Sequence, residues 1–158
     1  MGNDMNEQEF KDRTKRFGIR VIELLEQHHR SYVSDTLGRQ LLRSATSVGA
    51  NYRAACRAKS VADVIAKLGI VEEEADETRY WLEVFGETNL APNTILDTLI
   101  AEADEILAMI VASIKTLRKR PVDRRLSVFV GSENQHQKSG DVGVVFQSKI
   151  QNPKSKIS

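Results

Sequence analysis

The fold is decided by residues 35–85, which read DTLGRQLLRSATSVGANYRAACRAKSVADVIAKLGIVEEEADETRYWLEVF. Apolar or small residues recur here at alternating steps of three and four, a spacing that fits one side of an α-helix and no β-strand. The first such row is Leu37, Leu41, Ala45, Val48, Tyr52 and Cys56. The second row is Val64, Leu68, Val71, Ala75, Thr78, Leu82 and Phe85. The stretch therefore predicts two amphipathic helices joined by a short turn, each packing against other helices.

Two more helices flank this pair. The same spacing predicts helix 1 over 6–27 and helix 4 from Pro92 to Lys119. Helix 2 is predicted over 36–59 with Ser34 or Asp35 as its N-cap, and helix 3 from its cap Ser60 to Gly86. Because the connections are short, successive helices should be antiparallel. The predicted fold is all-α, an up-down antiparallel four-helix bundle over 1–120.

Helix 4 is apolar over more than one narrow stripe. One row is Leu96, Leu99, Ala103, Ile106, Ile110 and Leu117, and the adjacent row is Ile100, Leu107, Val111 and Ile114. A helix this widely apolar has to bury more surface than a narrow seam provides. A single bundle could do this, but an interface between subunits explains it more easily.

Residues 121–158 lose the helical spacing and are rich in Ser, Gly, Asn, Gln and Lys. We predict a flexible, disordered basic tail here. Its six basic and three acidic residues give a net charge of +3, which leaves −2 for residues 1–120 of a chain whose total is +1. The whole molecule is therefore not a polycation, and any binding of nucleic acid has to come from how its charges are arranged.

The sequence contains no catalytic constellation, no Gly-rich phosphate loop and no nucleophile elbow, so we expect neither an enzyme nor a cofactor. A di-iron bundle needs Glu-x-x-His on two helices. The pairs with that spacing, Glu26/His29 and Glu133/His136, fall at a helix end and in the tail, so no metal site is expected. The single cysteine, Cys56, excludes an internal disulfide and is expected to be an inert thiol. With neither a secretory signal nor a membrane span, the expected location is the cytoplasm.

Basic residues gather on helices 1 and 2. Helix 2 carries an arginine stripe, which we define as Arg39, Arg43, Arg53 and Arg57. Helix 1 carries a basic shoulder of Lys11, Arg13, Lys15, Arg16 and Arg20. These residues either contact the phosphates of a nucleic acid or form a solvated face paired with acids such as Glu73 and Glu77.

Other residues are candidates for close packing or subunit contact. Helix 2 presents Ser44, Ser47 and Asn51 on one face, and Gly49 nearby is costly in a helix unless another helix comes close. A buried Asn51 would need a fixed hydrogen-bond partner. On helix 3, the bulky Tyr80 and Trp81 lie off the main row. Trp81 fills a second core face or anchors a subunit contact, and these alternatives stay open.

Residues 37–85 resemble the bacterial four-helix-bundle family first noted as proteins encoded in 23S rRNA intervening sequences. The motif on helix 2 is Leu-Arg-Ser-Ala-x-Ser-x-Gly-Ala-Asn over 42–51. Helix 3 then carries Glu-x-x-Glu-Thr-x-Tyr-Trp-Leu over 74–82. The resemblance extends over about residues 10–120 and leaves out the tail. Many members have a glutamate three residues after the helix 2 asparagine, but Ala54 stands there in this chain. Any role of that glutamate is lost or reassigned.

The resemblance implies a bundle that assembles as a ring, a homopentamer, and that binds RNA. The same architecture is similar to the accessory protein of diversity-generating retroelements, which implies a reverse transcriptase as partner and RNA or DNA on a basic surface. Two functions stay open. One is a nucleic-acid-binding oligomer that uses Arg16, Arg20 and the arginine stripe. The other is a structural or adaptor oligomer in which those arginines are paired with acids.

Overall fold

The structure is a computed structural model that describes residues 5–27 and 31–119. Four α-helices occupy these ranges: α1 (Glu7–Glu26), α2 (Tyr32–Ala55), α3 (Val61–Glu87) and α4 (Asn93–Lys119). Successive helices pack along their lengths, whereas α1 and α4 touch over a much smaller area. The described part contains no β-strand. The predicted up-down four-helix bundle is confirmed, and the predicted tail over 121–158 lies outside the described residues.

The core consists of the rows that the sequence spacing picks out. Every member of the α3 row is buried, from Val64 to Phe85. In the α2 row only the two ends, Leu37 and Cys56, stay half-buried. The rings of Phe10 and Tyr52 meet edge to face, with centroids 4.6 Å apart, and join α1 to α2 at the core.

The start of α2 differs from the prediction. Its N-cap is Ser31, not Ser34 or Asp35. The Ser31 hydroxyl accepts a hydrogen bond from the Ser34 backbone N–H at 3.1 Å, and the Ser34 hydroxyl accepts one from the Ser31 N–H at 2.8 Å. This reciprocal pair satisfies two backbone donors at once, so the helix begins one turn earlier than expected.

The end of α2 is also earlier than predicted, at Ala55 instead of Lys59. The Ala58 N–H donates to the Ala55 carbonyl at 3.1 Å, which tightens the last turn. Ala58 is buried there, only 7% exposed. The chain then places Ser60 as the N-cap of α3, and its hydroxyl accepts from the Asp63 N–H at 3.1 Å.

Two glycines lie where the backbones of α1 and α2 come close. A Cβ added at Gly49 would lie 3.4 Å from the backbone carbonyl of Thr14, and one at Gly18 would lie 3.4 Å from the carbonyl oxygen of Ala45. A larger side chain at either place would push the two backbones apart. This contact gives a packing reason for Gly49.

The wide apolar face of α4 is covered largely within the single chain. Ile106, Ile110, Ile114 and Leu117 are buried in the bundle core. The half-buried members of its second row are Ile100, Leu107 and Val111. The α4 face is therefore a weaker argument for an oligomer than the sequence indicates. Large exposed apolar side chains lie mainly on α1, α2 and α3, and include Ile19, Ile22, Leu42, Ile70 and Tyr80, whereas α4 exposes Ile95.

Within the described ranges, no helix combines the length and the apolar character needed to cross a lipid bilayer.

Candidate nucleic-acid interface

All four residues of the arginine stripe are exposed. Arg39, Arg43 and Arg53 project from α2 itself, and Arg57 lies in the turn that follows it. The stripe continues past the end of α2 because the backbone N–H of Arg57 still donates to the Ala54 carbonyl, at 3.1 Å.

Arg43 is paired with two carboxylates of α3. Its guanidinium donates to both carboxylate oxygens of Glu77, at 2.5 and 2.6 Å, and lies 3.3 Å from Glu74. The pKa of Arg43 is raised, first by its hydrogen bonds to Glu77 and then by the negative charge of Glu74. The pKa of Glu77 is lowered by the same bonds and by the indole N–H of Trp81, which donates to it at 3.1 Å. The charge of Arg43 is thus neutralised by α3.

The other three arginines of the stripe are available. Arg39 makes one long hydrogen bond, 3.4 Å, to the hydroxyl of Thr36. Arg53 and Arg57 form no ion pair or side-chain hydrogen bond with any residue in 5–27 or 31–119. Exposed guanidinium groups without carboxylate partners can bind phosphate oxygens, two at a time.

A groove runs between α1 and α2, with a volume of about 360 Å³. We call it the α1/α2 groove, and its lining residues are Lys11, Thr14, Lys15, Gly18, Ile19, Ile22, Thr46, Gly49, Ala50 and Arg53. Lys11 is paired with Glu7 one turn earlier. Lys15 is exposed and makes no described ion pair, so together with Arg53 it makes one end of the groove basic.

Lys15 belongs to the basic shoulder of α1, of which only Arg16 and Arg20 are in the predicted nucleic-acid-binding set. The members of the shoulder do not all lie on one face. The signal for Lys15 in the sequence was its spacing of four from Lys11, which places both lysines on the same side of the helix.

The remainder of the basic shoulder faces α4 instead of α2. Arg13, Arg16 and Arg20 line a cleft of about 610 Å³ between α1 and α4. Arg13 donates to Glu102 at 2.5 and 2.8 Å and to Glu105 at 2.6 Å. The hydrogen bonds to Glu102 raise the pKa of Arg13 most, and burial partly opposes them.

Arg20 donates to the hydroxyl of Thr98 at 2.7 Å and is half-buried, while Arg16 is exposed. The structure therefore does not bring Arg16 and Arg20 onto one surface with the arginine stripe. They belong to the α1/α4 cleft, where Arg13 acts as a link between helices.

The predicted packing residues of α2 bond mainly within their own helix. The buried Ser44 hydroxyl donates to the carbonyls of Gln40 and Leu41, at 3.1 and 3.2 Å. The amide of Asn51 donates to the Ser47 carbonyl at 3.0 Å, and both residues are half-buried. Asn51 thus has a partner, but one that fixes no register between helices.

Tyr80 and Trp81 point in different directions. Trp81 is half-buried and packs against the core, whereas Tyr80 is 55% exposed. Their rings meet edge to face with centroids 4.9 Å apart. Of the two alternatives for Trp81, the structure favours the core face and leaves Tyr80 as the outward aromatic side chain.

No cluster of three potential metal ligands occurs among the described residues. His29, Glu133 and His136 of the two weighed Glu-x-x-His pairs lie outside those ranges. Cys56 is half-buried, and burial raises the pKa of its thiol to about 11.

Comparison with known proteins places the chain. Residues 6–112 match the model of the family described as 23S rRNA-intervening sequence protein. No curated protein matches the chain. A solved structure described as a protein of unknown function from the S23 ribosomal protein family of Bacteroides thetaiotaomicron is 35% identical. It aligns with a TM-score of 0.62 over 66% of this chain and 97% of its own. Since the family model spans most of the chain and reaches into all four helices, this protein belongs to the 23S rRNA-intervening sequence protein family.

Proposed function

We propose that this protein is a non-enzymatic, nucleic-acid-binding oligomer that contacts RNA or DNA phosphates through Arg39 and Arg57. The observation that carries the proposal is that these two arginines are exposed and form no ion pair with any described residue. Arg53 is exposed too, but it lies in the α1/α2 groove and is left out. Arg43 is left out because Glu74 and Glu77 neutralise it.

The proposed binding is weak and has little sequence preference. Contacts to phosphates supply affinity but do not read bases. Stacking on bases is limited mainly to Tyr32, which is 87% exposed at the start of α2, because Phe10, Phe17 and Phe85 are buried and the exposed Tyr80 lies on the acidic helix α3.

Assembly explains how a nearly neutral chain could bind a polyanion. A ring repeats Arg39 and Arg57 around an axis and sums their fields, which a single chain of net charge +1 cannot do. The ring and its proposed number of five come from the family resemblance. Light scattering at micromolar concentration should therefore give a mass several times 17.7 kDa, and the mass of one chain would contradict the ring.

A second candidate function is a structural adaptor that touches no nucleic acid, for example on a reverse transcriptase. The pairing of Arg43 with Glu74 and Glu77 favours it, because this pairing shows that α3 can neutralise part of the stripe. The net charge of −2 on residues 1–120 points the same way.

Fluorescence anisotropy with single-stranded and duplex probes separates the two functions. We compare wild type, Arg39→Glu/Arg57→Glu and the control Lys115→Glu/Arg118→Glu, which makes the same change in charge on exposed residues of α4. Wild type and control should bind at about 50 mM salt and lose affinity steeply by about 200 mM. For a duplex probe, the Arg39/Arg57 variant should lower the log–log salt slope by about 2 for each chain that contacts the probe. Equal loss in both variants, or no binding by wild type, would favour the adaptor.

A further inference from the structure

Charge is divided unevenly between the two central helices. α3 contains eight acidic and two basic residues, for a net charge of −6. α2 contains three arginines and one aspartate, for +2, and Arg57 and Lys59 in the following turn add two more positive charges. Within one chain these opposite charges meet across the α2–α3 boundary only at Arg43, among the described ion pairs. Most of the acidic charge of α3 thus faces away from α2.

The exposed side of α3 forms a continuous surface that the chain itself leaves uncovered. We call it the α3 outer face, and its residues, spaced by three and four, are Ala62, Ala66, Gly69, Glu73, Asp76 and Tyr80. Glu73 and Asp76 are exposed and form no ion pair with the described residues. A Cβ added at Gly69 would meet nothing within 4 Å, so packing inside this chain does not explain a glycine there. Ile70 beside it is 42% exposed.

The α1/α2 groove is complementary to this face. It carries the positive charges of Lys15 and Arg53 at one end, beside the exposed apolar side chains of Ile19 and Ile22. Its span along α1, from Lys11 to Ile22, is about 17 Å at the helical rise per residue. Gly69 to Tyr80 on α3 covers the same number of residues and hence the same length.

We propose that the α3 outer face of one copy docks into the α1/α2 groove of the next copy. Glu73 and Asp76 then lie against Lys15 and Arg53, and the apolar side chains of the two surfaces cover one another. This inference rests on the proposed assembly and goes beyond it by naming the two surfaces that meet. The contact is head-to-tail, so repeated copies close into a ring or extend as a filament.

A head-to-tail contact between two copies fits the charges better than a contact between two identical surfaces. Two α3 outer faces would bring acids together, and two α1/α2 grooves would bring basic residues together, both at an electrostatic cost. The head-to-tail contact covers Arg53 and leaves Arg39 and Arg57 outside, since both lie beyond the ends of the groove. The nucleic-acid contacts and the assembly contact can therefore be tested with separate variants.

The test uses two charge-reversal variants of the full chain, Glu73→Lys/Asp76→Lys and Lys15→Glu/Arg53→Glu, measured by light scattering at micromolar concentration. Each variant alone should have the mass of one chain, because its α3 outer face and its α1/α2 groove then carry charge of the same sign. The face of one copy is therefore repelled by the groove of the next. An equimolar mixture should regain at least twice that mass, since the intact groove of the first variant meets the intact α3 outer face of the second. This restoration also shows that both variants are folded.

Matched controls reverse the same charges elsewhere. Glu23→Lys/Asp97→Lys and Lys115→Glu/Arg118→Glu change exposed residues outside both surfaces and should keep the wild-type mass. Reversal variants that keep the wild-type mass would overturn the proposal, and so would a mixture that stays at the mass of one chain. A wild type of one chain's mass would overturn both this contact and the ring, but it would leave the anisotropy result for Arg39 and Arg57 to be judged by itself.

Discussion

Arg13 is the residue that ties α1 to α4, the pair of helices with the least contact. Its side chain is 17% exposed and bonds to Glu102 and Glu105, and its guanidinium also approaches the Met109 sulfur at 3.4 Å. Removing one partner of such a cluster leaves the other charges partly buried and unpaired. We expect Arg13→Leu to lower the free energy of unfolding by about 1–3 kcal/mol, measured by urea denaturation.

The control for this prediction is Arg16→Leu, one turn further along α1. Arg16 lines the same cleft but is exposed and forms no described ion pair, so its loss should change stability by no more than about 0.5 kcal/mol. Equal effects of the two substitutions would mean that the Arg13 cluster contributes no more than an exposed side chain.

Cys56 should react slowly in the folded protein. Its thiol pKa of about 11 lies well above the ordinary value of about 8.5, so little thiolate exists at pH 8. Alkylation at that pH should be at least tenfold slower than in urea-unfolded protein, by about the ratio of thiolate fractions. Because burial raises the pKa of the folded thiol, ionisation of Cys56 does not affect the free energy of unfolding below about pH 8.5. That free energy should fall as the pH rises from about 8.5 toward 11. A folded rate equal to the unfolded rate would show that the thiol is not protected.

At the scale of the elements, α2 and α3 are joined on their exposed side by Arg43, Glu77 and Trp81. Because the pKa of Glu77 is lowered in the folded protein, this link is complete above the ordinary glutamate value of about 4.3 and is lost as the pH falls through the folded pKa. Trp81 is the single tryptophan, so its fluorescence reports the loss of the bond from its indole N–H. We expect a fluorescence transition below pH 4.3, at a small cost in stability because the pair is exposed.

Arg43→Gln supplies the comparison for this transition. Without the guanidinium the pKa of Glu77 should move back toward its ordinary value, and the midpoint of the transition should rise. Far-UV circular dichroism recorded at each pH separates local loss of the bond from acid unfolding. An unchanged midpoint in Arg43→Gln would show that Arg43 does not set the pKa of Glu77.

The elements were largely predictable because spacing by three and four fixes which side of each helix is buried. The misplaced boundaries of α2 depend on finer chemistry. A serine can be the N-cap itself, as Ser31 is, or the third helical residue that bonds back to the N-cap, as Ser34 is. The spacing of the sequence does not distinguish the two positions. The candidate interface was predicted in part. The arginine stripe is exposed as expected. The basic shoulder of α1, however, is divided between the α1/α2 groove and the α1/α4 cleft, and this division depends on how α1 is rotated against its neighbours.

For the whole molecule, the charge pattern matters more than the total charge. Although the net charge of the chain is only +1, α3 is acidic and the adjacent helix α2 is basic. This separation gives one chain two unlike surfaces. It also limits the proposed nucleic-acid binding to arginines that α3 of the same chain does not reach, which is why Arg43 and Arg57 have different proposed roles despite lying on one stripe.

The last prediction concerns residues 121–158. The matched family model ends at residue 112, and the solved relative is covered over 97% of its own length by 66% of this chain. The four described helices, which end at Lys119, already enclose a continuous buried core. Deleting residues 121–158 should therefore leave the helical circular dichroism signal unchanged and shift the melting temperature by less than about 5 °C.

The same deletion tests whether the tail adds to binding. It removes a net charge of +3, so nucleic-acid affinity at low salt should fall modestly, while the mass found by light scattering should remain that of the intact assembly less the deleted residues. A larger fall in melting temperature would mean that part of residues 121–158 packs on the bundle. A collapse to the mass of one chain would mean that the tail, and not the α3 outer face and the α1/α2 groove, joins the copies.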